Sequence, residues 1–201
     1  MRNLLRLGLI LGIVLATTTV LHATNISFYG MASGTQITTQ YASEGVTFTT
    51  ENPTWAPAIA DSEEWWGCTP DESECGVGLT NTATGDYPTA LDLDILFPNG
   101  ASNVSFTFDN WGEGNGSNYT AYSGATVVAS GALDEGAYVD NFGLVTVPGS
   151  GITEIQISNA CGYDCWEFGV GELTTAEPTT LTLLGAGLLG LCGLVRRKRS
   201  N

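Results

Sequence analysis

The segment Ala90-Leu-Asp-Leu-Asp-Ile-Leu-Phe97 puts Leu91, Leu93 and Ile95 on one side of an extended chain and Asp92 and Asp94 on the other. A two-residue period belongs to a strand with one face buried and one wet; a helix would scatter those leucines around its circumference. The same alternation recurs in Gly45–Thr50, Asn103–Asp109 and Ile152–Ser158. Weaker examples are Asn25–Tyr29, Tyr119–Tyr122, Ala125–Ala132, Ala137–Val147 and Trp166–Leu173. Turn-forming clusters such as Pro98-Asn-Gly100, Trp111–Asn118 and Pro148-Gly-Ser-Gly151 punctuate them. No window between these segments carries a helical period. Short strands at such spacing predict an all-β fold, an antiparallel two-sheet sandwich of jelly-roll-like form, with an up-and-down barrel as the alternative. The longest stretch without a strand pattern runs from Asn52 to Gly76 and holds Trp55, Trp65, Trp66, Cys68 and Cys75. A loop of that length is expected to be stapled or functional.

The ends of the 201-residue chain read differently from this middle. Residues 1–23 carry Arg2 and Arg6, an apolar run from Leu7 to Ala16 and a small residue at Ala23, the layout of a cleavable secretory signal. Residues 24–173 form the expected β-sandwich domain, and residues 174–201 form a tail. Within the tail, 179–195 has no charge and 196–199 is Arg-Arg-Lys-Arg. As a helix the uncharged stretch would reach about 25 Å, enough to cross a thin bilayer. The basic cluster behind it would stay cytoplasmic, which places the body outside. The domain is thus expected between an N-terminal signal helix and a C-terminal transmembrane helix.

Charge follows the same division. All six Lys and Arg residues lie in the two ends, and between Thr24 and Thr175 there is no Lys, Arg or His. All 21 acidic residues fall between Glu44 and Glu177. Phosphate backbones are held by Lys and Arg, so nucleic-acid binding is excluded for this body. Without His or Lys, no Ser-His or Cys-His nucleophile can be assembled within it, and the domain is expected to be non-enzymatic. A carboxylate pair of the glycosidase type is the one catalytic arrangement the composition leaves open.

Hard cations suit such a surface. Calcium is the candidate ion, with Asp109, Glu113 and Glu172 as candidate oxygen ligands, although Trp111 breaks any EF-hand pattern. Carbohydrate is the other candidate ligand. Trp65, Trp66 and Trp111 lie in loop-like segments where indole faces could stack on sugar rings. An ice-binding surface would need a regular Thr-x-Thr ladder, which the sequence lacks. Four cysteines, Cys68, Cys75, Cys161 and Cys165, belong to the body, and an even count in an oxidising compartment reads as two disulfides. Of the three pairings, Cys68–Cys75 with Cys161–Cys165 closes the shortest loops.

Ala176-Glu-Pro178, the Leu- and Gly-rich run after it and the closing Arg196, Arg197, Lys198 and Arg199 together resemble the PEP-CTERM sorting signal of Gram-negative bacteria. Ala176 stands where that motif has its first proline. The resemblance implies signal peptidase and a membrane protease-transpeptidase, exosortase, as partners. It also implies anchoring in the inner membrane before processing, then residence at the cell surface or in the extracellular matrix. Proteins with this tail are associated with exopolysaccharide and biofilm. The body is similar to domains such proteins carry: Gly34-Thr-Gln-Ile-Thr-Thr-Gln-Tyr-Ala-Ser-Glu-Gly-Val-Thr-Phe48 resembles an opening strand pair of a jelly roll, and Trp166-Glu-Phe-Gly-Val-Gly-Glu-Leu173 resembles its closing strand.

Overall fold

A computed structural model describes residues 24–52, 54–61, 76–81, 91–110, 116–133, 142–159 and 168–176. Nine strands account for most of them: β1 (Thr24–Ser27), β2 (Thr47–Thr50), β3 (Ala58–Asp61), β4 (Val77–Thr80), β5 (Leu93–Asn110), β6 (Ser117–Ser123), β7 (Thr126–Ala132), β8 (Gly143–Asn159) and β9 (Phe168–Ala176). A single 3-10 turn at Ala42–Glu44 is the one helical element among the described residues. Every strand pair is antiparallel. The strands form one hydrogen-bonded network in the order β3-β4-β9-β5-β8-β6-β7, with β1 beside β9 and β2 beside β5. Neighbours that are distant in sequence rule out the up-and-down alternative.

The network closes into two facing layers because β5 and β8 are long enough to run through both. The first layer holds β2, the start of β5 (Leu93–Leu96, paired with Glu154–Ile157), the end of β8, β6 and β7. The second holds the remainder of β5, the start of β8, β9, β1, β4 and β3. Aromatic rings meet across the gap. Phe106 of the second layer approaches Tyr119 of the first edge-on at 6.3 Å, and Phe28 meets Phe48 at 5.6 Å. These rings join one buried core that draws on both layers.

Pro98-Asn-Gly100, read from sequence as a turn between strands, is a bend inside β5. The register shifts between Leu96 and Val104, where Gly100 and Asn103 adopt positive φ of 72° and 47°. Leu93, Ile95 and Phe97 point inward before the bend, and Val104, Phe106 and Phe108 after it. Odd positions thus give way to even ones. The irregularity lets one strand change layers while keeping its apolar side in the core. The segment Pro148–Gly151 does the same for β8, between inward-facing Val147 and Ile152.

Two strands depart from the sequence expectation. β3 lies inside the stretch Asn52–Gly76 that showed no strand pattern, and β4 follows directly after it. Ala58, Ile59 and Ala60 are all fully buried, as are Leu79 and Thr80. A strand covered on both faces has no alternation to display. β9 also continues three residues past the expected boundary at Leu173, with Thr24 opposite Thr175 and Ser102 opposite Ala176. Among the described residues no helix is long and apolar enough to cross a membrane, and the expected spans at 1–23 and 179–195 lie outside those residues.

Candidate functional site

The outward side of the second layer gathers exposed apolar groups around hydroxyls. Thr107 of β5 stands at its centre, opposite Leu144 of β8. One step along, Ser105 lies between Thr146 and Thr174. The β5–β9 register shifts between Phe106 and Phe108, which takes the Glu172 amide out of the regular ladder. Thr107 Oγ1 accepts that N–H at 2.8 Å. The Tyr29 hydroxyl lies 3.2 Å from the same Oγ1. Tyr29 reaches this position because residue 171 is glycine: a Cβ there would collide with the phenol. The Tyr29 ring meets Phe142 edge-on at 5.4 Å. Tyr29 is 42% exposed and Leu144 66%, which places them with Val127 and Val128 as the exposed large apolar side chains among the described residues.

Burial pushes the Tyr29 pKa up, the negative charges of Glu172 and then Asp109 push it further, and the Thr107 hydrogen bond opposes them. The phenol therefore stays protonated across the physiological range. In the chain Glu172–Thr107–Tyr29, either hydroxyl can donate to the other. The two hydroxyls share one hydrogen bond, which leaves the pair one further hydrogen to donate. The site offers a donor, the Glu172 carboxylate as an acceptor and an apolar rim. It holds no nucleophile with a base beside it.

The outward side of the first layer is acidic. Asp94 of β5 lies between Thr49 and Gln156, and Gln156 Nε2 donates to its Oδ1 at 3.2 Å. Burial raises the Asp94 pKa to about 6, against the Gln156 hydrogen bond, and the charges of Glu154, Asp92 and Glu51 raise it further. Asp92 is raised by burial and by Glu51. The pairing of Asp92 with Asp94 on one face was legible in the sequence. That Glu51 and Glu154 join them follows from strand neighbours distant along the chain.

Of the three candidate calcium ligands, Asp109 is fully buried in β5 and Glu172 lies in β9, and the charge of each raises the Tyr29 pKa. Glu113, the third, lies outside the described residues. Among the described residues no group of three acidic, His or Cys side chains could hold a metal ion. Trp65, Trp66 and Trp111, the four body cysteines, and Glu177, Pro178, Arg196, Arg197, Lys198 and Arg199 also lie outside. Ala176 is the last residue of β9. Tyr29, Thr107, Phe142 and Leu144 were not singled out from sequence. The signal in hand was Tyr29 at the end of a strand pattern, with Gly171 in a distant strand to receive it.

No family model and no curated protein matches the chain. Among solved structures, it is similar to the K1 cleaved adhesin domain of Lys-gingipain from Porphyromonas gingivalis W83, at 9% identity and a TM-score of 0.42, over 78% of this chain and 99% of that one. It is also similar to the family 32 CBM from C. perfringens NanJ in complex with galactose, at 16% identity and a TM-score of 0.33, over 65% of this chain and 90% of that one.

Proposed function

We propose that this is an exported, non-enzymatic protein of the cell surface or extracellular matrix, sorted by exosortase and associated with exopolysaccharide. Its jelly-roll-like antiparallel body lies between a cleaved signal at 1–23 and a membrane-spanning sorting tail. The observation that carries the reading is the segregation of charge: Lys and Arg are confined to the two ends, beside apolar runs, and the body between them has none. Such a distribution sets topology, because basic residues beside an apolar segment are retained on the cytoplasmic side. The body left outside is strongly anionic, which favours solvation and attraction of cations over contact with acidic polymers. Its lack of His and Lys supports a binding or structural role over catalysis.

Intact-mass measurement of the protein recovered from its host tests this. Loss of residues 1–23, processing near Ala176–Pro178 and a mass deficit from two disulfides are expected. A full-length, fully reduced mass from a cytosolic fraction would overturn the assignment.

A further inference from the structure

We infer that the outward face of the second layer, centred on Thr107, binds an uncharged polysaccharide. This deepens the exopolysaccharide association proposed above and rests on it. Sugar rings present two kinds of surface, C–H faces that pack on apolar and aromatic groups and hydroxyls that need both donors and acceptors. Both are available here within one patch. Tyr29 and Leu144 are open to solvent on either side of Thr107, and Phe142 holds the Tyr29 ring edge-on. The Thr107–Tyr29 hydroxyl pair has one hydrogen to donate, and the Glu172 carboxylate, whose charge acts on the Tyr29 hydroxyl, supplies acceptor oxygens beside it. Ser105, Thr146 and Thr174 extend the hydroxyls along the neighbouring row, so the patch suits a chain of several residues. Adjacent strands stand about 4.8 Å apart, comparable with the length of a pyranose ring.

Charge decides which polymer. With no Lys, Arg or His anywhere from Thr24 to Thr175, the face has nothing to neutralise uronates, sulfates or phosphates. The surrounding carboxylates repel them.

The test is affinity electrophoresis of the purified full-length protein in non-ionic detergent, in native gels containing dextran, laminarin, galactomannan or polygalacturonate. At least one of the three neutral polymers should retard the protein, and polygalacturonate should not. Tyr29→Phe keeps the ring over Gly171 and removes its hydroxyl, and Leu144→Ser removes apolar surface at an exposed position where folding is not at stake. Each should weaken retardation by about tenfold, with the melting temperature little changed. Absence of retardation by all three neutral polymers would overturn the inference, as would retardation unchanged in both variants or retardation by polygalacturonate alone. Correct export and processing together with any of these results would leave the localisation reading intact and remove only the ligand.

Discussion

Asp94 is a carboxylate that the fold makes reluctant to ionise. Its folded pKa of about 6 lies above its ordinary value of 3.8, so the native state binds a proton that the unfolded chain has already released. The stabilisation this gives is complete below about pH 3.8 and is lost as pH rises through 6. At neutral pH the ionised group weakens the fold by about 1–3 kcal/mol. Urea denaturation should accordingly find Asp94→Asn more stable than the parent by about 1–2 kcal/mol near neutrality, with a flatter stability profile between pH 4 and 6. Thr107 makes the opposite case. Its Oγ1 serves an amide that the bulged β9 leaves out of the ladder, so Thr107→Val should cost about 1–2 kcal/mol, while Thr107→Ser should recover most of it. Neither role was visible in sequence. Asp94 was placed on the face opposite Leu93 and Ile95, but that position is buried and not wet, and the charges that act on it come from Glu154 of β8 and from Glu51 just after β2. Thr107 matters only because of a register shift that no local pattern encodes.

At the scale of elements, strands with one wet face were legible and doubly buried ones were not. β2, both halves of β5 and the second half of β8 alternate cleanly, whereas β3 and β4 are buried on both sides; β3 fell in the stretch read as loop, and β4 was not singled out as a strand. Pro98-Asn-Gly100 was read as a turn between strands and is a bend within β5, because a bend and a reversal use the same residues. β4 also depends on a close approach to β9. A Cβ on Gly78 would stand 2.9 Å from the Gly169 Cα, backbone against backbone, where no side chain can swing aside. Gly78→Ala should therefore destabilise by about 2 kcal/mol or more, measurable as a lower urea midpoint with an unchanged slope. Gly124→Ala, at a turn with open space around it, should cost about 1 kcal/mol through its positive φ alone.

For the whole molecule, the decisive fact is that carboxylates have no cationic side chain within the body to answer them. Sodium chloride should raise the melting temperature at neutral pH by screening their mutual repulsion. Calcium at equal ionic strength should raise it further if carboxylates chelate it, and scanning calorimetry separates the two effects. The closing strand carries a mechanical consequence. Thr24 pairs with Thr175, so the first and last described residues leave the sandwich at one corner. Tension applied between the two ends loads β1 against β9 one rung at a time, which makes that pair a zip fastener that parts at low force. A tether at one end alone leaves it closed, and the sandwich hangs from a single point.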